Sequence, residues 1–167
     1  LTFTTFAVFA LSHDAARFDV HPLAGTPEPT VRHLLLNQVL PLVLSHRGRL
    51  VLHAAAVRVG SQACAFVGRS GAGKSTMAAA MAAIGGGEII SDDCLVLHPR
   101  AGAWWAMPSG AGVRLWPSTL DLLGWASTAG SGLVHFSEKR RVGASHEGLA
   151  FASVEAPLSV IVSLRRP

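Results

Sequence analysis

The sequence predicts an α/β fold with an unusually large share of strands. Half of the 167 residues are hydrophobic and only 14% are charged, which excludes a disordered or fibrous chain and is enough for a sizeable core. Short apolar runs bounded by turn residues outnumber the segments with helical spacing. A membrane-spanning helix needs roughly 18 uninterrupted apolar residues, and no run in the sequence is that long. No membrane-spanning helix is therefore expected.

The N-terminal part of the sequence predicts two short strands and one long helix. The strands are expected over residues 2–11 and 15–20, and a proline-rich linker follows at 21–30. Apolar residues occupy nearly every helical position over 31–45. This pattern predicts a buried helix that is kinked or broken at Pro41, because proline removes a backbone donor from the helix.

The rest of the sequence predicts strands that alternate with two further helices. The apolar runs expected to form strands are 50–59, 63–68, 94–98, 103–107 and a final buried strand at 157–164. Helices are expected over 75–84 and 117–123, the second with Ser118 or Thr119 near its cap. The glycine-rich stretch 124–133 predicts a loop, and Trp125 to Leu133 is expected to be a mobile lid when no substrate is bound.

The charge and the cysteines narrow the class of protein. The net charge is +4, from 12 arginines and only two lysines against ten acidic residues. The arginines are scattered and no aromatic residues alternate with them, so the pattern does not favour nucleic-acid binding. Cys64 and Cys94 each lie in an apolar run and neither belongs to a CxxC pair, which indicates reduced, buried thiols in a cytoplasmic protein.

One motif is specific enough to predict a ligand. Residues 68–76 match GxxxxGK[ST], after an apolar strand and before an alanine-rich helix. Glycines allow the backbone N–H groups to surround a phosphate at a helix N-terminus, the lysine reaches the β- and γ-phosphates, and the serine hydroxyl binds Mg²⁺. The motif therefore predicts ATP and Mg²⁺ as cofactors, bound by Gly68, Arg69, Ser70, Gly71, Ala72, Gly73, Lys74, Ser75 and Thr76.

Four residues outside the motif are candidates for catalysis. Asp92 and Asp93 follow Ile89-Ile90, where a strand beside the motif's own strand would bring them to the bound Mg²⁺ and γ-phosphate. Arg114 is an isolated charge between apolar residues, which favours contact with substrate or phosphate. His53 ends an apolar run, a position more typical of a core histidine. The charged run 138–141 is more typical of a solvated face.

Three segments together resemble the HPr kinase/phosphorylase superfamily. They are HAAAV at 53–57, GRSGAGKST at 68–76 and ISDD at 90–93, with VRLWPSTLDLLG at 113–124 also similar. The likeness spans roughly 34–139 and is greatest to short HPr-kinase-related serine kinases, some of which are encoded beside genes for lasso-peptide and other modified-peptide biosynthesis. Accordingly, we divide the chain into a strand-rich N-terminal segment with its linker, 1–30, and a P-loop kinase domain, 31–167, and expect a longer protein beyond both ends.

The resemblance implies a fold and roles for the candidate residues. The fold is the P-loop core of HPr kinase and phosphoenolpyruvate carboxykinase, with a mixed, strand-rich sheet. Asp92 would be the general base for a seryl hydroxyl of a peptide or protein, and Asp93 would support the metal with Ser75. His53 would lie near the transferred phosphate, and Arg114 would match an arginine of the family signature. The resemblance also suggests a homo-oligomer.

Two other functions stay open. A small-molecule kinase of the shikimate or gluconate type also places an aspartate one helix after its P-loop, although it normally begins with the P-loop strand. A non-catalytic ATP-binding regulator is the second alternative, because Gly112 stands where HPr kinases often carry a metal-binding glutamate. Thr76 also replaces their usual glutamate, and the long signature helix that the family uses for phosphorolysis of phosphoserine is not recognisable. Neither phosphorylase activity nor HPr as a substrate is therefore expected.

Overall fold

The computed structural model describes residues 1–110, 112–126, 132–134 and 137–165. Its strands are β1 Thr2–Phe3, β2 Ala7–Leu11, β3 Phe18–Pro22, β4 Leu50–Leu52, β5 Ala55–Val59, β6 Gln62–Gly68, β7 Glu88–Ser91, β8 Leu95–Arg100, β9 Ala103–Met107, β10 Gly112–Leu115, β11 Gly132–Val134, β12 Ser137–Gly143, β13 Ala150–Phe151 and β14 Ala156–Leu164. Its α-helices are α1 Glu28–Leu34, α2 Leu40–His46, α3 Lys74–Gly85 and α4 Pro117–Leu122, with a π-helical turn, Leu35–Val39, between α1 and α2.

The centre of the fold is a mixed sheet in the order β13-β7-β5-β6-β14-β9-β8-β4. Strand β14 runs parallel to β6, and β13 runs parallel to β7, whereas the other neighbours are antiparallel. Helix α3 follows β6 through the glycine motif and packs against β5, β6 and β7. The predicted α/β fold with a mixed, strand-rich sheet around a P-loop is confirmed.

Alternating residues of the central strands feed two separate apolar clusters. On β5, Ala55 and Val57 face a cluster with the alanines of α3, while Ala56 belongs to a second cluster on the other side of the sheet. Residues 54–57 are buried on both faces of the sheet, and this part of the chain is accordingly a continuous apolar run. Three alanines of α3, at 78, 79 and 82, are buried, and their small side chains allow the helix to approach the sheet closely. This packing fixes the position of the loop before α3.

The N-terminal sheet β1-β2-β3 packs on the helix that starts at Glu28. Two N-terminal strands were expected, but a turn at residues 4–6 divides the first of them into β1 and β2. The apolar cluster joins Ala7 and Phe9 to Leu34, Val39 and Val43, and so it spans the predicted domain boundary after residue 30.

The long helix is interrupted by the π turn and continues through Pro41. One extra residue per turn brings residues 34, 39 and 43, which are five and four positions apart, onto the same buried face. The turn ends just before Pro41, which lacks the N–H that a regular helix would need there. The helix therefore departs from regular α-helical geometry in the π turn before Pro41, and not at Pro41 itself.

Three further expectations are corrected. Residues 50–59 form two strands, because the chain leaves β4 at residues 53–54 and enters β5, which pairs with different neighbours. The N-cap of α4 is Trp116, with Pro117 in the first turn, and not Ser118 or Thr119. The last strand is only partly buried, since Val160 and Ile161 are about half exposed.

A third sheet, in the order β10-β12-β11, completes the described part of the fold. The centre of the predicted lid, residues 127–131, lies outside the described residues. At its borders, Trp125 packs against the apolar cluster that contains the alanines of α3, and Gly132 and Leu133 belong to β11. Among the residues described, no helix is long and apolar enough to span a bilayer.

Candidate active site

The glycine motif forms a tight loop between β6 and α3. Gly71 and Gly73 have φ angles of 78° and 97°, in the left-handed region that favours glycine. Gly68 lies against β14, and a Cβ atom there would come within 2.5 Å of the carbonyl oxygen of Leu164. The loop thus needs glycine for its turns and for its close approach to a neighbouring strand, and it presents its backbone at the N-terminus of α3.

Lys74 is held by its own loop. Its Nζ donates to the carbonyl oxygens of Gly68 at 3.0 Å and Arg69 at 3.3 Å, and the residue is 6% exposed. Burial lowers the pKa of Lys74, the charge of Lys139 lowers it further, and Asp92 raises it. A buried ammonium with another cation nearby is well placed to attract an anion.

Asp92 joins the loop to β10. Its Oδ1 accepts a hydrogen bond from the hydroxyl of Ser75 at 2.7 Å, and its Oδ2 accepts one from the backbone N–H of Arg114 at 2.8 Å. The next hydroxyl of the motif, Thr76, hydrogen-bonds Thr119 of α4 at 3.0 Å. Hydroxyl and carboxylate oxygens are suitable ligands for a Mg²⁺ ion that arrives with phosphate groups, so Ser75 and Asp92 fit that ion.

Asp93 and Arg114 form an ion pair at the side of the cleft. Asp93 has a φ of 70°, a left-handed conformation that aspartate tolerates better than most residues. The guanidinium of Arg114 also donates from Nη1 to Nδ1 of His33 at 3.0 Å. Arg114 is therefore held from two sides.

His33 is a neutral acceptor in this contact. A guanidinium can only donate, so Nδ1 of His33 carries the lone pair and not the proton. Burial, together with the charges of Arg114 and Lys139, lowers the pKa of His33 to about 4. Asn37 donates to the carbonyl oxygen of His33 at 3.0 Å, which ties the π turn to the same residue.

These side chains surround one cleft with a volume of about 500 Å³, a size typical of small-molecule sites. The structure brings together in its lining the predicted residues His53, Ser70, Gly71, Gly73, Lys74, Ser75, Thr76, Asp93 and Arg114. The lining does not include four predicted residues, Gly68, Arg69, Ala72 and Asp92. The pKa of His53 is lowered by partial burial and by the charge of Lys74, with Asp92 opposing.

Sequence reasoning missed His33, Gln38, Trp116, Thr119 and Lys139, all of which line the cleft. Lys139 lies within the charged run 138–141, and its alternation with Arg141 along the strand shows which residues share a face but not that this face lines the cleft. The helical pattern around His33 gave no signal either, since a histidine in an apolar helix is typical of packing.

Comparison with known proteins gives one relevant result. No protein-family model matches the sequence, and no curated protein matches it. A solved structure, the HPr(Ser) kinase/phosphatase from Coxiella burnetii, is similar with a TM-score of 0.44 and 12% sequence identity. The match covers 71% of this chain and 61% of that chain, so the protein described here spans less than two thirds of that structure. At this level of similarity the comparison carries no information about activity.

Proposed function

We propose that the chain is an ATP-dependent kinase that transfers the γ-phosphate to a serine hydroxyl of a peptide or protein. The observation that carries the proposal is the convergence of Lys74, Asp93 and Arg114 on one cleft beside the Ser75–Asp92 hydrogen bond. A glycine loop, an oxygen-ligand pair for Mg²⁺ and an opposing cation are the parts that phosphoryl transfer requires.

The parts would act as follows. The backbone of the loop would hold the α- and β-phosphates, and Lys74 would reach the β- and γ-phosphates. Ser75 and a carboxylate would hold Mg²⁺, whose charge would offset that of the phosphates. The acceptor oxygen bonds to the γ-phosphorus as the bond from that phosphorus to the β–γ bridging oxygen breaks, and ADP leaves. A carboxylate takes the hydroxyl proton. Arg114 stabilises negative charge on the transferred group.

Two assignments of the carboxylates are compatible with the contacts. The resemblance implies that Asp92 takes the proton and Asp93 supports the metal. The hydrogen bond from Ser75 also places Asp92 within reach of the metal, and Asp93 lines the cleft where an acceptor would enter. The two assignments predict different responses to Mg²⁺, which the Discussion uses as a test.

The acceptor is proposed from the sequence. The resemblance to serine kinases that accompany modified-peptide biosynthesis favours a serine peptide, including a lasso-type precursor peptide. Trp116 lines the cleft and is 43% exposed, so it offers an aromatic surface to a chain segment. We further propose a cytoplasmic location, where ATP is available and Cys64 and Cys94 stay reduced, and a homo-oligomer, as the resemblance suggests.

One observation favours a second candidate, a regulator that binds ATP without transferring phosphate. A Cβ atom on Gly112 would lie 2.5 Å from Nε of Arg141, so a guanidinium occupies the space beside this position. A cation there would disfavour a second metal ion. The site would then hold fewer of the charges that a transferase uses.

A transfer assay tests the proposal. The chain is incubated with Mg²⁺, ATP labelled at the γ-phosphate and a panel of serine peptides, each matched by a serine-to-alanine peptide. We expect label on serine peptides alone. ATP binding without transfer to any peptide or small alcohol would support the regulator, and transfer to a small alcohol alone would support a small-molecule kinase. A chain that does not bind ATP contradicts all three functions.

A further inference from the structure

The hairpin of β10 and β12 presents a second set of cations to the cleft. The two strands pair antiparallel, with Arg114 opposite Arg141 and Leu115 opposite Arg140. The next step of this register places Lys139 beside Trp116, and its Nζ lies 5.7 Å from the centroid of the Trp116 ring. Because successive strand residues point to opposite faces, Lys139 shares the face of Arg114.

The ammonium of Lys139 lies among the charges that would surround the γ-phosphate. Lys139 lines the same cleft as Lys74 and Arg114, so cations from α3, β10 and β12 converge there. Burial lowers the pKa of Lys139, Asp92 raises it, and Arg114 lowers it. Among the neighbouring charges, that of Lys139 has the largest effect on the pKa of Lys74 and lowers it. Both lysines line the same cleft, so an anion bound there would lie near both ammonium groups.

This arrangement differs from a solvated face of a strand. A lysine that merely kept the strand in water would extend away from Lys74, since two cations in a partly buried cleft raise each other's energy. Lys139 instead lies over an aromatic ring that faces the cleft, and it shares that cleft with two other cations. A cluster of like charges becomes favourable when an anion with several oxygens lies between them.

We propose that Lys139 binds the γ-phosphate of ATP from the side opposite the glycine loop and stabilises the phosphoryl group during its transfer. The inference rests on the proposed function. The loop encloses the α- and β-phosphates at the N-terminus of α3, whereas Lys139 comes from the other wall, together with Arg114. As the bond to the bridging oxygen breaks and the bond to the acceptor oxygen forms, negative charge on the γ-oxygens lies between Lys74, Arg114 and Lys139.

The test compares nucleotides with and without a γ-phosphate. The affinities of the chain for ADP and for an ATP analogue with NH as the β–γ bridge are measured by calorimetry in Mg²⁺. We expect Lys139→Gln to weaken binding of the analogue about tenfold and to leave ADP affinity within about twofold. Tenfold is the lower end of the range for a hydrogen bond to a charged group, because Lys139 is partly exposed. Lys139→Arg should restore most of the difference.

The matched control is Arg140→Gln, which removes the same charge from the neighbouring position on the other face of β12. It should leave both affinities unchanged, and thermal unfolding should show that Lys139→Gln is folded. Equal losses for both nucleotides, no loss for either, or a higher KM for the acceptor alone would overturn the role of Lys139. A difference between the nucleotides in a chain that transfers no phosphate would support the contact and contradict the kinase. An unaltered chain that binds neither nucleotide contradicts both.

Discussion

The two walls of the cleft are built in different ways. The loop wall, residues 68–76, is continuous in sequence, and Lys74 finds its hydrogen-bond partners five and six residues away. The sheet wall consists of His33, Arg114, Trp116 and Lys139, which come from α1, β10, the α4 cap and β12. One wall can therefore be recognised in the sequence, whereas the other exists only after the chain has folded.

The difference also concerns how each wall is held. The loop wall depends on backbone conformations and on the contact of Gly68 with β14. The sheet wall depends on one side chain, Arg114, which contacts Asp93 and His33 and whose N–H reaches Asp92. We expect changes in the loop wall to affect nucleotide binding and folding together, and changes in the sheet wall to affect transfer and its pH dependence.

The largest effect is expected from Lys74→Met, which removes the ammonium charge of Lys74 from the loop wall and keeps the aliphatic stem. The kcat/KM for ATP should fall by about 10³-fold or more. Loss of transition-state charge stabilisation accounts for about 10²–10³-fold, and weaker ATP binding accounts for about a further tenfold. Calorimetry and the transfer assay measure the two parts, and thermal unfolding verifies the fold. Unchanged ATP affinity would contradict the assignment of the loop to phosphate binding.

The second-largest effect distinguishes the roles of Asp92 and Asp93. If Asp92 is the base, Asp92→Asn should keep Mg-ATP affinity and lower transfer by about 10²–10⁴-fold at any Mg²⁺ concentration, since the amide preserves the shape of the side chain. Asp93→Asn should then raise the Mg²⁺ requirement. Transfer to a serine peptide is measured against Mg²⁺ for both variants. If high Mg²⁺ rescues Asp92→Asn and not Asp93→Asn, the two roles are exchanged.

The fold was predictable where local pattern and tertiary context agree. The succession of β6, glycine loop and α3 follows the sequence closely, because each element is set by neighbours in the chain. The stretch 50–59 reads as one strand, since eight of its ten residues are apolar. It forms two because the chain changes partners at His53, and a pairing partner is not visible in periodicity. The π turn before Pro41 is a similar case, in which packing selects among helical geometries.

The candidate site was predictable for the loop wall and for single charges among apolar residues. Arg114 stands out in the sequence because burying a charge between apolar neighbours is costly without a partner. Its partner His33 lies 81 positions earlier, on a helix from the N-terminal part of the chain. Lys139 was obscured by the charged residues beside it, and only the register of β12 on β10 shows that it faces the cleft.

A third, smaller effect tests the attachment of the loop wall to the sheet. Gly68→Ala should destabilise the chain by about 2–3 kcal/mol, because φ is 147° and the new Cβ would meet the Leu164 carbonyl at 2.5 Å. Gly85→Ala is the matched control, since a Cβ there meets nothing within 4 Å. It should be neutral or slightly stabilising in α3. Denaturant unfolding measures both, and equal stability of the two variants would contradict the close approach of β14.

The smallest effect concerns pH and belongs to the sheet wall. The pKa of His33 is lowered to about 4 in the folded chain by burial, Arg114 and Lys139, against an ordinary value of 6.5. Between these two values the unfolded chain binds more protons at this residue, so stability should decrease as pH falls from about 6.5 to 4. The loss attributable to His33 should be about 1–2 kcal/mol after allowance for its partial exposure.

His33→Gln removes this titration and keeps an oxygen that can accept from Arg114. The free energy of unfolding is measured at pH 7 and near pH 4.5 for the unaltered chain and for the variant. Subtracting the variant's change between the two pH values from that of the unaltered chain isolates the contribution of His33 from those of the other histidines. His21→Gln makes the same substitution at an exposed position of β3 and is the control for the substitution itself. If His33→Gln leaves the pH dependence of stability unchanged, the imidazole is not held neutral by Arg114, and the contacts of Arg114 do not organise the sheet wall.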